Sequence, residues 1–216
     1  MAFAKVNDTG LYSGASSASI TVPATTIGNL LIATSTGLPG ATFGTPTGGG
    51  TWAIAGGPAG GSALPIQCFY CICTSSVTSV GFTASGANLI DVEVAEFSGV
   101  GSSPLDLVGT NNGTGSPMVV PTLGSPAVAN ELFWVAGSGG NTTGSAVLDA
   151  NTPTNGFSVG GLAGASTSLA SGYLISTDSS AHSTTWPMSY STEWGLVVVS
   201  FKPVLVTSTQ GIMAAI

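Results

Sequence analysis

The chain has 216 residues, of which 43% are apolar and only 5% are charged, whereas an ordinary soluble domain carries about 25% charged residues. Nine acidic residues and two basic ones give a net charge of −7. Because nucleic-acid affinity depends on cationic side chains that neutralise phosphates, this balance excludes a DNA- or RNA-binding protein. The high apolar content also argues against disorder driven by charge.

The amino-terminal sequence lacks a basic start that leads into an apolar run, so we expect no secretory signal and synthesis in the cytoplasm. Glycine, serine, threonine, asparagine or proline interrupts every stretch of about 18 residues, which excludes a membrane-spanning helix and, with it, a membrane partner.

Thirty-two glycines and twelve prolines separate short β-prone runs along the chain, a spacing that is typical of an all-β sandwich or barrel. No window of a dozen residues carries a 3.6-residue apolar stripe, so little helix is expected. The predicted strands are 18–22, 30–34, 52–55, 66–74, 80–83, 89–97, 105–108, 118–120, 132–136, 147–148, 168–176, 184–188 and 194–201.

The three cysteines, Cys68, Cys71 and Cys73, lie in one β-prone run. On a strand, Cys71 and Cys73 would share a face about 7 Å apart, near the outer limit for a disulfide. A tetrahedral metal site would need a fourth ligand. We therefore predict buried free thiols, with no metal and no other cofactor.

Two parts of the sequence recur at an offset of about 100 residues. The segment 19–35 is echoed at 117–136, and the run 89–97 resembles 194–201 in pattern. We predict one jelly-roll-type antiparallel β-sandwich over residues 1–203, with pseudo-halves at about 18–100 and 117–203. Two independent domains are the alternative, but only 113–116 could serve as a linker.

The runs 66–73 and 194–201 are apolar at successive positions, so both faces of these strands should be covered. No charged residue occurs between Asp8 and Asp91. Because edge strands of monomers are usually protected by lysine or other charges, we expect further copies of the chain to cover these edges. A monomer kept soluble by its serine and threonine hydroxyls is the alternative.

Residues 204–216 form an apolar tail after Pro203. We predict that this tail is an assembly arm that lies against a neighbouring copy. Its apolar contact residues would be Val204, Leu205, Val206, Ile212, Met213 and Ile216.

The densest acidic group is formed by Asp91, Glu93 and Glu96. On a strand the first two share one face and Glu96 points to the other. Some jelly-roll glycoside hydrolases carry a similar group of carboxylates, but here the Asp and Glu identities are exchanged. Catalysis and Ca²⁺ binding are therefore weak alternatives to solvated or hydrogen-bonded acids.

Aromatic residues and the single histidine offer further candidates. Trp52, Trp134, Trp186 and Trp194 could provide sugar platforms, but core or interface positions are favoured for the aromatic residues. His182 would have to serve any Ser-His-Asp triad. The sequence has no Gly-x-Ser-x-Gly elbow, so an exposed loop histidine is favoured.

The sequence VAEFSGV at 94–100, followed by SPLD at 103–106, resembles β-sandwich domains of bacteriophage virion proteins and bacterial surface proteins. The ITVP run at 20–23, the GNLL run at 28–31 and the strand ending in FKP at 201–203 are similar to the same domains. The resemblance covers about residues 18–203, and such sandwiches carry many functions.

The resemblance implies a non-enzymatic virion structural protein, either a capsid cement or decoration protein or a head or tail fibre subunit. Its partners would be further copies of the chain and other virion proteins. It would be made in the host cytoplasm and located in the virion. The alternative is a surface carbohydrate-binding or glycan-cleaving β-sandwich module whose partner is a glycan.

Overall fold

The computed structural model describes residues 2–60, 64–86, 89–140, 153–162, 168–187 and 193–205. Within these residues every regular element is a strand and there is no helix, which confirms the predicted all-β class. None of the described residues belongs to a helix long and apolar enough to span a membrane.

The described strands, in chain order, are β1 (Ala4–Gly14), β2 (Ser17–Thr21), β3 (Leu30–Gly37), β4 (Thr42–Phe43), β5 (Ala53–Ala59), β6 (Ile66–Ile72), β7 (Ser79–Ser85), β8 (Ile90–Ser98), β9 (Val100–Thr114), β10 (Met118–Val119), β11 (Leu132–Gly140), β12 (Ser158–Leu162), β13 (Ser168–Ile175), β14 (Thr185–Trp186) and β15 (Glu193–Pro203).

Two antiparallel five-stranded sheets form the centre of the molecule. The first sheet has the strand order β1-β8-β3-β6-β5, and the second has the order β12-β13-β11-β15-β9. A three-stranded sheet, β2-β7-β4, packs on the outer face of the first sheet, and the β10-β14 pair packs on the outer face of the second. The described strands therefore stack in four layers.

The central core lies between the two five-stranded sheets. Leu30, Ile32 and Phe97 of the first sheet pack against Trp134 and Phe201 of the second. The Trp134 indole N–H also donates a 3.1 Å hydrogen bond to the Thr34 hydroxyl of the facing sheet. Burial of apolar surface, at about 25 cal/mol per Å², is the main term that holds the two sheets together.

Each five-stranded sheet is also covered on its outer side. Leu31, Phe69 and Cys71 of the first sheet pack under Val80 and Phe82 of β7. On the second sheet, Phe133, Val135 and Val198 pack under Met118 and Trp186. The prediction that 66–73 and 194–201 are covered on both faces is confirmed, because both strands contribute to two of these cores.

The two five-stranded sheets have matching connectivity. Read from one edge, β1-β8-β3-β6-β5 corresponds strand for strand to β9-β15-β11-β13-β12, and the covering pair β2-β7 corresponds to β10-β14. The register corresponds as well, because Leu30 lies opposite Phe97 as Leu132 lies opposite Phe201. A duplicated half-sequence of about 100 residues would produce such an order.

Three described strands, β1, β4 and β12, have no counterpart among the predicted strands. β1 contains the polar run at 7–9 and two register irregularities against β8, so no continuous apolar alternation marks it. β9 was predicted only at 105–108 but spans Val100–Thr114, because it pairs with β15 over nearly its full length. The predicted strand 147–148 lies outside the described residues.

Candidate functional site

The acidic strand β8 places its three carboxyls on two faces, as predicted. Asp91 and Glu93 point toward the second sheet, where Glu93 accepts a 2.8 Å hydrogen bond from the Ser171 hydroxyl of β13. Glu96 points to the other side. All three side chains are buried, and Glu93 and Glu96 accept hydrogen bonds.

Glu96 holds the loop that precedes β3 through hydrogen bonds. Its Oε1 accepts hydrogen bonds from the Thr26 backbone N–H at 2.9 Å and the Asn29 side-chain amide at 2.6 Å. Its Oε2 accepts a bond from the Asn7 amide of β1 at 3.3 Å. Several donors satisfy this buried carboxylate, which is how proteins accommodate such a group.

Glu93 belongs to a cluster with two residues of β1. The Lys5 ammonium lies 2.8 Å from Asp8 Oδ2 and 5.2 Å from the centre of the Tyr173 ring. Burial raises the pKa of Glu93 well above its ordinary value, and the neighbouring negative charge of Asp8 raises it further. The raised pKa favours the protonated form of Glu93, which has a proton to share with the Asp8 carboxyl.

A second cluster of the same composition joins Glu131, Asp106 and Lys202. The Lys202 ammonium lies 3.3 Å from Asp106 Oδ1, and the Ala127 backbone N–H donates to Asp106 Oδ2 at 2.8 Å. Glu131 is buried and shares a hydrogen bond with Asp106. Both lysines of the chain are thus held in Lys-Asp-Glu clusters.

Asp91 differs from the other buried acids, because neither of its carboxyl oxygens has a partner at normal hydrogen-bond geometry. Burial raises its pKa to about 6, and the nearby Ser13 hydroxyl opposes that rise. A glycan cannot reach Asp91 or Glu93 without opening the sandwich, so the carboxylate geometry does not favour glycan cleavage. Within the described chain, no three acidic, histidine or cysteine side chains are grouped as a metal site.

His182 is not the exposed loop histidine that we predicted. Its side chain is 20% exposed, and its ring packs edge-on against Phe133 with centroids 4.8 Å apart. The Ser176 hydroxyl and the Asp178 carboxylate both approach Nε2, at 2.9 and 3.5 Å. A catalytic triad needs the acid on the opposite ring nitrogen.

The Ser176 hydroxyl already donates its proton to the Asp178 carbonyl at 2.7 Å. It therefore accepts the bond from His182 and has no proton to give to the imidazole. These three residues brace the turn after β13 and do not form a nucleophile.

The cysteines and tryptophans lie in the cores. Cys68, Cys71 and Cys73 are buried free thiols, and burial raises the pKa of Cys68 and of Cys71 to about 12, which leaves these thiols unreactive. All four tryptophans are buried, which confirms the favoured core positions and removes them as sugar platforms. They are Trp52, Trp134, Trp186 and Trp194.

The described surface has very few charges. Of the charged residues that the structure describes, the buried ones are Asp91, Glu93, Glu96 and Glu131. The half-buried ones form the two lysine–aspartate pairs, Lys5–Asp8 and Lys202–Asp106. Asp178 and Glu193 are the exposed charged residues within the described ranges. The surface is therefore poorer in charge than the composition alone implies.

A nearly uncharged groove lies where β9 begins and β15 ends, and we call it the terminal groove. It consists of two adjoining cavities of about 420 and 360 Å³ that share Ser102 and Ser103. Ala53 and Tyr70 line the first cavity, and the described start of the tail lines the second. Lys202 is the one charged residue among its described lining.

The predicted assembly arm starts at this groove. Val204 is paired through its backbone N–H to the Gly99 carbonyl at 2.8 Å, while the side chains of Val204 and Leu205 are 39% and 66% exposed. The remaining predicted arm residues, Val206, Ile212, Met213 and Ile216, lie outside the described residues.

No family model, curated protein or solved structure matches this chain. The likeness to virion proteins therefore rests on the sequence motifs alone.

Proposed function

We propose that this chain is a non-enzymatic structural subunit of a bacteriophage particle, either a capsid cement or decoration protein or a head or tail fibre component. The observation that carries the proposal is the nearly uncharged surface, on which Asp178 and Glu193 are the exposed charged residues among those described. A soluble monomer normally places charges at about 25–35% of its surface positions.

The distribution of the acids strengthens this argument. The chain has nine acidic residues, yet four of those that the structure describes are buried and two are half-buried against lysines. Their charges therefore do little to keep copies apart in solution. A surface of this kind favours stable contacts with other proteins over prolonged exposure as a monomer.

The terminal groove supports the proposal as a candidate site for such contacts. It is concave and nearly uncharged, and it adjoins exposed Leu205. Ile54 and Val108, 56% and 48% exposed, belong to the two edge strands β5 and β9. A standard interface buries about 1,600 Å² in total, and apolar surface of this kind would supply much of its free energy.

A direct test combines solution mass with particle binding. Light scattering after size exclusion should show an oligomer at micromolar concentration, and the protein should co-sediment with purified phage heads or tails that lack it. A stable monomer that binds neither heads nor tails would contradict the proposal.

The hydroxyl-rich outer layer favours a second candidate function, binding of a surface glycan. Ser17, Ser19, Thr47 and Thr83 line a shallow cavity of about 320 Å³ on the β2-β7-β4 sheet. Hydroxyl groups both donate to and accept hydrogen bonds from sugars. Retention of a monomer on a glycan array, and loss of that retention in Thr83→Val, would favour this second function over an assembly role.

A further inference from the structure

The Glu131, Asp106 and Lys202 cluster lies across three adjacent strands of the second sheet, with Asp106 on β9, Lys202 on β15 and Glu131 directly before β11. Leu132 pairs with Phe201 and Phe201 pairs with Leu105. Side chains alternate along a strand, so the neighbours of these residues, Glu131, Lys202 and Asp106, share the opposite, outer face. The fold therefore brings an amine and two carboxyl groups together from positions far apart in sequence.

The Asp106 carboxyl is approached by three donors. The Lys202 amine lies 3.3 Å from Oδ1, the Ala127 backbone N–H lies 2.8 Å from Oδ2, and the Glu131 carboxyl shares a hydrogen bond with the same group. Lys202 also donates to the Leu105 carbonyl at 3.3 Å, which holds the amine beside β9.

The two carboxyls must share a proton. Glu131 Oε2 is buried and no donor reaches it, so a hydrogen bond between Glu131 and Asp106 requires one of the two carboxyls to carry a proton. Burial raises the pKa of Glu131, which favours Glu131 as the protonated partner. The pKa of Asp106 is lowered because the Ala127 N–H and Lys202 outweigh the opposing effect of burial. The cluster therefore holds an amine, a carboxylate and a neutral acid.

We infer that Lys202 and Asp106 condense to form an isopeptide bond that ties β15 to the edge strand β9, with Glu131 as the proton relay and the Ala127 N–H as the oxyanion donor. An amine and a carboxyl held in contact react as an intramolecular pair, which removes most of the entropic cost of their encounter.

The reaction balances without any co-reactant. The ion pair first exchanges a proton, which gives a neutral amine and a neutral Asp106 carboxylic acid. The Lys202 nitrogen then forms a bond to Asp106 Cγ, and the negative charge develops on the oxygen that faces the Ala127 N–H. Glu131 protonates the departing hydroxyl, which leaves as water, and recovers a proton from the nitrogen. One C–N bond forms, one C–O bond breaks and one water is released.

The Lys5 cluster is a poorer candidate for the same reaction. Lys5 and Asp8 belong to one strand and are three residues apart, so a bond between them would close a small ring within β1. A Lys202–Asp106 bond instead joins two strands, one of which is the edge of the sheet. Lys5 therefore provides a matched control.

Intact-mass spectrometry of the denatured full chain tests this inference. The wild-type mass should be lower than the sequence mass by one water. Lys202→Arg and Asp106→Ala should have their full sequence masses, whereas Lys5→Arg should still show the loss. Glu131→Gln should leave a large fraction of the chains without the Lys202–Asp106 bond after an incubation in which the wild-type chain condenses. Circular dichroism should confirm that Lys202→Arg is folded.

Three results would overturn the inference or part of it. A wild-type chain at full sequence mass would show that Lys202 and Asp106 form an ion pair only. Loss of water that persists in Lys202→Arg would identify an aspartyl succinimide instead. Complete condensation in Glu131→Gln would remove Glu131 as the proton relay. A cross-linked peptide containing both residues in the fragment spectrum would establish the bond directly.

Discussion

Glu93 is a buried acid in the interior of a β-sandwich, held by the Ser171 hydroxyl of the opposite sheet and by Asp8 of the neighbouring strand. Because burial raises its pKa well above the ordinary value, folding favours uptake of a proton that the unfolded chain has released. The fold therefore loses stability at this position whenever the solution pH exceeds the ordinary pKa of a glutamate.

We expect Glu93→Gln to stabilise the fold at pH 7 by about 1–3 kcal/mol, because the amide keeps a donor toward Asp8 without the cost of proton uptake. The gain should shrink toward pH 4, where glutamate is protonated in the unfolded chain as well. Urea unfolding of both proteins at pH 4, 5.5 and 7 measures the difference. A gain that does not change with pH would contradict the protonated state of Glu93.

Ser171→Ala is the matched control for this pair. It removes the donor to Glu93 Oε1 and should destabilise the fold by about 1–3 kcal/mol, because it leaves a buried acceptor unsatisfied. Its effect has the opposite sign to that of Glu93→Gln at neutral pH.

For single residues, the sequence predicts only those features that depend on the spacing of residues within one strand. The alternation of Asp91, Glu93 and Glu96 between two faces follows from strand geometry. The partners Asp8 and Ser171 could not be found in this way, because they come from strands that meet Glu93 only through the folded topology.

Among the elements, β15 passes very close to the end of β5. A Cβ atom at Gly195 would overlap the backbone of Gly60, and the Ala59 carbonyl carbon would lie 3.0 Å away. Backbone atoms cannot move aside as a flexible side chain can. The approach of the two sheets at this end therefore depends on a residue without a side chain.

We expect Gly195→Ala to destabilise the fold by about 1–3 kcal/mol or more, the usual cost of overpacking. Gly124→Ala is the control, because a Cβ at Gly124 would have no described atom within 4 Å, and it should be nearly neutral. Thermal unfolding measures the difference in midpoint between the two variants. Equal midpoints would show that the two sheets can move apart at Gly195 without loss of stability.

The start of the predicted arm can be tested with one added charge. Leu205→Asp should weaken self-association about tenfold or more, because it loses the burial of a leucine at the interface. Val119→Asp is the control, since Val119 is 47% exposed but belongs to β10 and not to the groove. Sedimentation velocity over a concentration series distinguishes them. Equal weakening by both variants would show that self-association does not depend on the terminal groove.

The sequence predicts elements best where strands are buried. β3, β6, β11 and β15 each contain a run of apolar residues, and the strands predicted from these runs overlap the observed ones. β1 and β12 lie at sheet edges, where only part of the strand packs against the core, so polar residues and glycines obscure their periodicity.

For the molecule as a whole, the buried acids set the pH dependence of stability. Burial raises the pKa of Asp91 to about 6 and also raises those of Glu93 and Glu131. A raised pKa means that the folded state binds protons more tightly than the unfolded state. The resulting stability is fully present below the ordinary pKa of these acids and is lost as the pH rises.

We therefore expect the free energy of unfolding to be greatest near about pH 4–5 and to fall toward pH 7, with about 1–3 kcal/mol of the fall due to Asp91. In chains whose Lys202 and Asp106 have not condensed, Asp106, whose pKa is lowered, contributes in the opposite direction and loses its contribution only below about pH 4. Chemical denaturation from pH 3.5 to 8 measures the profile. A maximum at or above pH 7 would contradict the buried neutral acids.

The all-β class and the double-sided burial of two strands could be predicted from composition and apolar runs. The four-layered stacking could not, because apolar runs predict where strands lie but not which strands pair into separate covering sheets. Thr42–Phe43 in addition has too few residues to show a period.

The placement of the two lysines has a practical consequence for detecting this protein. Trypsin selects cationic side chains through an aspartate in its specificity pocket, and the chain offers it only Lys5 and Lys202, each half-buried against an aspartate. The second of these precedes Pro203, at a bond that trypsin cuts poorly. A tryptic digest would therefore give few peptides from this chain, whereas digestion with chymotrypsin or pepsin would give many more.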